Sequence, residues 1–536
     1  MGRRTKANLR TGKSGSIDVQ SPEATAPAQS AAAAPPAQKE NPFAQAPSHN
    51  QDPAATAPVR EPKPSVPKAL LAERENPLGI ADTRRLILKF AIPSVVAGLV
   101  SALYNIVDQI FIGHSIGYLG NAATNVSFPL TTLCAALALL LGVGCTANFS
   151  LSLGAGETDR SARFAATGIA LMAGSGVLLS LFCRIFLHPL LLLFGATDQV
   201  LSLAQTYTGI TLLGFPFLIF SIGGSNLIRA DGSPTYAMAC TLTGAVLNTI
   251  LDPILIFALD MGIAGAAIAT VFSQMVSCFL VIRYFLRFKS IRLKREHFRL
   301  ASKNVGAVLA LGMSPCFNQC AMMLVQIAMN NTLTHYGADS VYGSEIPLAC
   351  AGVISKINVI YMAFVIGIAQ GTQPILGYNY GAKKYRRVRQ ALLQALMAAT
   401  AVSILAFLCF QLLPRQIISL FGAGDQLYFQ FAERYFHIYM ALIFLNGIQP
   451  MASFLFTAIG KARLGIFMSL TRQILFLLPL ILLFPVIWGI DGVMYAGPIA
   501  DGAAASLAVF LLRRELELLN RPPAAPLTES RPPAAP

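Results

Sequence analysis

The sequence predicts an all-α integral membrane protein of twelve transmembrane helices, arranged as two parallel six-helix lobes. Three observations lead to that reading. The first is composition: of 536 residues, 54% are hydrophobic and only 12% charged, and the mean hydropathy is +0.59, whereas a soluble globular chain is roughly 25% charged. The second is a series of twelve apolar stretches, each close to the ~20 residues that cross a bilayer as a helix. The third is an internal repeat that divides those stretches six and six.

Taken in order, residues 1–80 are rich in Ala, Pro, Ser and Gln, with few aliphatic side chains and no periodicity, and are expected to be a disordered cytoplasmic tail. No secretory leader is read there, because nothing apolar follows Arg3, Arg4, Lys6 and Arg10 for some seventy residues. The spans are expected at 87–112, 125–151, 164–187, 204–228, 236–259 and 262–286 in an N-terminal lobe (81–290). After a basic cytoplasmic linker (291–304) they resume at 305–333, 346–371, 390–413, 433–457, 464–487 and 492–513 in a C-terminal lobe (305–515). Residues 516–536 carry Arg521-Pro-Pro-Ala-Ala-Pro526 twice, the second copy as Arg531 to Pro536, and read as a second disordered, Pro-rich tail.

Charge sets the orientation. Lys and Arg outnumber Asp and Glu by 40 to 25, for a net +15, a balance that in a soluble protein would suggest nucleic acid. Here seventeen basic residues fall in the loops on one side of the spans, among them Arg287 to Lys303 and Lys383 to Arg389, against Arg415 alone on the other. The excess is the positive-inside bias of a multi-pass plasma (inner) membrane protein with both termini cytoplasmic, and a nucleic-acid partner is excluded. All nine cysteines lie within apolar runs, where they behave as small hydrophobes without a disulfide framework.

The repeat is legible in three places. Leu193-Phe-Gly-Ala-Thr-Asp-Gln199 returns as Leu420-Phe-Gly-Ala-Gly-Asp-Gln426, an offset of 227. The same offset relates Gly154-Ala155 to Gly381-Ala382, and Gly262, Ile263, Gly265 and Ala269 to Gly489, Ile490, Gly492 and Ala496. Pro93 and Pro315 correspond at an offset of 222. Because each unit holds six spans, the halves share one orientation and are related by a pseudo-twofold axis along the membrane normal, a layout found in transporters.

Within that layout the buried charges stand out. A carboxylate at the middle of a bilayer costs about 2.5–3.5 kcal/mol or more, and two acids lie deep in the predicted spans, Asp108 in the first and Asp252 in the fifth. Asn248 and Asp252 are four residues apart and share a helix face, and Pro253 cannot donate to the Thr249 carbonyl. Two carboxylates, an amide and a loose carbonyl suit either a bare Na+ or a shared proton. Gln319, Gln326 and Asn330 recur at intervals of seven and four as a polar stripe on the seventh span, and mark a substrate cavity. Lys356 falls near the middle of the eighth span, as a group handling substrate or protons or as a buried lysine paired with a carbonyl. Arg472, two turns into the eleventh, is expected to snorkel to the headgroups. The six histidines are scattered, and no nucleotide-binding Gly-Lys-Ser/Thr loop is present. The chain therefore reads as no enzyme and as lacking a cofactor, with an ion gradient as its energy source.

Residues 84–515 resemble the multidrug and toxic compound extrusion (MATE) family of secondary transporters. The resemblance rests on Asp108 followed by Phe-Ile-Gly, Arg229-Ala-Asp-Gly232, Asn248 to Pro253, Gly262 to Thr270, and Gln373 to Ala382. It implies two lobes meeting in a V, alternating access by rocking, and monomeric antiporters that export cationic or amphipathic small molecules, drugs or toxic metabolites, against Na+ or H+. It also implies a cation site at Asp108, Asn248, Asp252 and Thr270. A lipid-linked-oligosaccharide flippase of the same superfamily is the alternative reading, and a membrane-embedded enzyme or scaffold a remoter one. Flippases of this kind often have fourteen helices and more cationic cavities.

Overall fold

The computed structural model describes residues 76–343, 345–420 and 426–520, which are helical throughout their regular structure. The tails 1–75 and 521–536, and most of the second copy of the Leu-Phe-Gly-Ala repeat, lie outside the described residues. Six long helices make up the first half: α1 (Thr83–Ile116), α2 (Tyr118–Gly154), α3 (Thr158–Ile185), α4 (Asp198–Ala230), α5 (Pro234–Pro253) and α6 (Gly262–Phe285). In the second half come α7 (Ser302–Ala338), α8 (Glu345–Gly381) and α9 (Tyr385–Leu412), then α10, a pair bent by 41° (Gln426–Tyr439 and Ile443–Ala458), α11 (Ala462–Trp488) and α12 (Ile490–Asn520). Eleven described helices are long and apolar enough to cross a membrane, and the bent pair makes a twelfth, as the sequence predicts.

Most helices overrun the predicted spans at both ends, while α3, α5, α6 and α9 stop one or two residues short at their C-terminal ends. At 1.5 Å per residue a 34-residue helix is about 50 Å long, well beyond a hydrocarbon core of ~30 Å. Apolarity marks only the part in lipid, while caps set the ends: the Asp82 carboxylate accepts the Arg85 amide at 3.2 Å and starts α1 four residues before the predicted span. Likewise α12 runs to Asn520, into the stretch read as tail, because buried Glu515 pairs with Lys461 at 2.5 Å. Two helices change winding in mid-course. A π-helical turn (Ile254–Ala258) continues α5 past Pro253, and another (Thr471–Leu477) lies inside α11; such turns often accompany functional sites.

Two apolar cores sit within the halves, one centred on Phe149, Met172 and Phe215, the other on Phe431, Tyr435 and Phe436. A third joins the halves, where Leu86, Ile87 and Phe90 of α1 pack among Ile375, Leu392 and Leu455. At this join the backbones nearly touch. A Cβ added to Gly312 would lie 1.7 Å from the Leu140 carbonyl oxygen and one on Gly144 would lie 1.9 Å from that of Val308, so α2 and α7 meet without intervening side chains. Gly154 and Gly381 bring α2 against α8 in the same way, and Gly367 and Gly371, one turn apart, seat α8 on Val95 and Ala91 of α1. Small residues at such spacing permit close helix association in membranes. Every one of these contacts lies in the half of its helix nearer the basic loops, so the two halves are closed at that end.

Several polar ties reinforce the closed end. Asn379 donates to the Leu78 carbonyl at 3.0 Å, Lys384 to that of Gly79 at 3.1 Å, and Arg387 to that of Ala81 at 2.5 Å. Asp231, in the turn between α4 and α5, accepts the Lys289 and Ser290 amides and the Tyr284 hydroxyl at 2.7–2.9 Å, docking the end of α6. Burial raises its carboxyl above the usual range, against the lowering effect of those bonds. The linker is anchored in turn by buried His297, which bonds Asp159 at 3.0 Å.

Gly312→Ala should therefore lower the stability of the purified protein by about 1–3 kcal/mol, as overpacking does. Gly306→Ala, six residues earlier on α7 and facing open space, should be neutral or stabilising by up to about 1 kcal/mol. Thermal unfolding of the two variants side by side checks the pair.

Candidate functional site

The helices α1, α2, α4, α5, α6, α7, α8, α10 and α11 surround a cavity of about 590 Å³, whose lining reaches the closed end at Gly367 of α8 and Arg229 of α4. Its wall mixes amides (Asn105, Asn226, Gln274, Asn318, Gln319, Gln449) with apolar Met322, Met362, Ile366 and Phe454. Thus both halves of the repeat contribute.

The predicted acids sit beside this cavity, outside its lining. Asp252 is fully buried, and Asp108 of α1 approaches it until the two carboxyl groups are within hydrogen-bonding reach. Asn248 donates its Nδ2 to Asp252 Oδ1 at 3.1 Å. Three acceptors are left over: Asp108 Oδ1, Asn248 Oδ1 and Asp252 Oδ2 are buried and receive no hydrogen bond. Two carboxylates side by side in a low dielectric repel strongly, so the arrangement requires either a proton between them or a cation. Three unclaimed oxygens fit a hard cation as well as a proton. Thr270 stands with Asn248 in the cavity wall, without a hydrogen bond to either acid. Tyr104 and Tyr207, which sequence reasoning passed over, lie close enough to both carboxylates to feel their charge. Among the described residues no group of three or more His, Cys, Asp or Glu side chains could hold a metal ion, so a cation here would rest on two acids and neutral oxygens.

The expected substrate residues divide. Gln319 lines the cavity. Gln326 and Asn330 do not: Gln326 donates to Asn330 at 2.9 Å and faces Ser355 at 3.5 Å, so the stripe is real but its upper members satisfy one another. Lys356 is exposed and also outside the lining. It shares the helical face of Ala363 and Gly367, two turns further from the closed end, which removes any need for a buried partner. Arg472 corrects the snorkelling expectation. It is 8% exposed and lines the cavity, and its Nε bonds Asp501 Oδ1 at 2.5 Å. At the repeat offset of 227, Arg472 and Asp501 correspond to Ala245 and Gln274, both in the cavity wall of the first half. Arg229, one of the seventeen basic residues expected in the loops, lies instead in the last turn of α4, 7% exposed, and lines the cavity too. All nine cysteines are free.

A helical transporter bundle of two repeated halves, with a central cavity and a buried acid pair, is the class that these features define. The MatE family profile matches residues 93–254 and 315–483, more than half of the chain, and the protein belongs to that family. It is 25% identical over 438 residues to the multidrug export protein MepA of Staphylococcus aureus strain N315, covering 81% of this chain and 94% of the relative. It is 24% identical over 441 residues to MepA of Staphylococcus saprophyticus. Among solved structures, a multidrug resistance MATE family transporter of the MOP superfamily in an outward-facing conformation superposes with a TM-score of 0.77 at 22% identity, over 82% of this chain and 98% of the other. A MOP superfamily transporter from Pyrococcus furiosus, described as having a binding pocket of reverse polarity, gives 0.78 at 22% identity, over 83% and 98%. At such identity these two establish the fold.

If the acid pair holds a cation, the purified protein should gain stability as that cation is added, by about 2.7 kcal/mol at a hundredfold excess over its dissociation constant. Asp252→Asn should abolish this gain. Asn248→Leu should abolish it for Na+ yet spare it for H+, because both carboxylates remain. Thermal unfolding across a Na+ series and a pH series reads each case; an unchanged response in Asp252→Asn removes that residue from the site.

Proposed function

We propose that the protein is a secondary active multidrug exporter, an antiporter that moves amphipathic small molecules outward in exchange for Na+ or H+. The observation that carries this reading is the buried Asp108–Asp252 pair with its three unclaimed oxygens, set against a large mixed-polarity cavity. A cation entering from outside binds at Asp108, Asn248 and Asp252, with Thr270 nearby, and favours the outward-open arrangement of the lobes. Coupling requires only that the two arrangements differ in cation affinity. The positive-inside bias of the basic loops supports a closed end facing the cytoplasm, with both termini inside, in the plasma membrane, and the family resemblance supports a monomer. On that orientation the contacts at Gly144 and Gly312 form the inner gate, and rocking of the six-helix lobes must part them. Of the substrate descriptions implied by the family resemblance, amphipathic compounds are the ones that the lining supports, since Met322, Met362 and Phe454 stand among amides.

The flippase reading draws on one observation, the arginines in the cavity wall. Accumulation of lipid-linked precursors on depletion of the protein would decide for it.

Efflux from cells expressing Asp108→Asn or Asp252→Asn should fall at least about tenfold, the effect of removing about 1.4 kcal/mol of differential cation affinity. Wild-type rates in both variants would defeat the antiport reading. In proteoliposomes, the imposed gradient that alone drives export, Na+ or pH, identifies the ion.

A further inference from the structure

The charges in the cavity wall are of one sign. Arg229 and Arg472 are the charged residues of the lining, and no Asp or Glu is among the residues that form it. Both are more than nine-tenths buried, and a guanidinium stays protonated in any such setting. Asp501 compensates Arg472 from outside the lining. Arg229 has no such partner: its Nη2 donates to Asn226 Oδ1 at 2.7 Å and to Gln370 Oε1 at 3.5 Å. Among the described residues it forms no ion pair. Neutral amides satisfy its donors but leave its charge, and a buried charge without a counter-ion is costly.

Both guanidiniums also keep donors in reserve. Each carries five N–H groups; Arg472 commits its Nε to Asp501 and has the Tyr439 hydroxyl within reach, and the bonds of Arg229 leave from a single nitrogen. Such forks match the planar oxygens of a carboxylate. Lys356, exposed on α8 two residues before the lining residue Asn358, adds a third positive group beside the cavity. The apolar part of the wall, Met322, Met362, Ile366 and Phe454, suits the hydrocarbon of the same ligand.

We infer that the central cavity selects amphipathic organic acids, whose carboxylate is held at a guanidinium of the wall, Arg229 or Arg472, while the apolar body rests on Met322, Met362 and Phe454. This rests on the export reading above and names its substrate class.

Two xanthene dyes test it, fluorescein as the anion and rhodamine 123 as the cation, with binding to the purified full-length protein followed by fluorescence anisotropy. Fluorescein should bind on the order of tenfold more tightly, as expected for one added charge-assisted hydrogen-bonded contact. Arg229→Gln should weaken fluorescein by a similar factor and leave rhodamine 123 unmoved. Arg472→Gln strands Asp501, so the double variant Arg472→Gln/Asp501→Asn serves in its place with the same expectation. Equal or tighter binding of rhodamine 123 by the wild type overturns the inference, and so does fluorescein binding that neither variant weakens. A polyprenyl diphosphate that binds and depends on these arginines, with fluorescein failing to bind, overturns it in favour of a lipid substrate. Export is read separately in proteoliposomes. If a gradient moves rhodamine 123 but not fluorescein, export stands and the organic-acid inference falls. If fluorescein binds through the arginines yet no gradient moves either dye, the inference stands and export falls.

Discussion

The close apposition of helix backbones at one end of the molecule is the contact on which the remaining architecture depends. Gly144 against Val308 and Gly312 against Leu140 bring α2 and α7 together with nothing between them, and Gly367 and Gly371 do the same for α8 on α1. In lipid there is no hydrophobic drive to press helices together, so dispersion and close packing must supply the association. These contacts occupy one half of each helix, and the cavity lies directly against them, with Gly367 in its wall.

Inside that frame, each buried charge is resolved in a different way, and the differences show which are structural. Lys461 and Glu515 neutralise each other near one end of the bundle. Arg472 and Asp501 form an equally short pair at the cavity wall. Arg229 is held by amides alone. Asp108 and Asp252 face each other with oxygens to spare, the one arrangement of the four that calls for a further positive charge. In a low dielectric an unresolved charge is expensive, so unresolved charges in this protein are best understood as places where something binds.

The repeat gives the two halves a common plan, but the chemistry is not duplicated. Position for position, Asp108 corresponds to Asn330 and Asp252 to Pro479, at offsets of 222 and 227. Asn330 accepts from Gln326. The second half instead carries Arg472 and Asp501, at positions that in the first half are Ala245 and Gln274. One half therefore presents an acid pair and an arginine held by amides, and the other a compensated arginine, an asymmetry that a sequence repeat alone conceals.

The sequence by itself determined the fold class, the count of the helices, the two-half plan and the presence of the acids Asp108 and Asp252 within spans. These follow from local quantities: apolar length, loop charge and the cost of a carboxylate in lipid, each readable within a single span. What the tertiary structure decided concerns pairs distant in the chain. That Asp108 meets Asp252, that Arg472 reaches Asp501 instead of the headgroups, and that Gln319 lines the cavity while Gln326 and Asn330 bond each other all depend on which helix faces meet. A polar residue in a helix has a face but no partner until neighbouring helices are placed. In this protein, glycines that the sequence offers only as small residues set that placement, through contacts of their backbones.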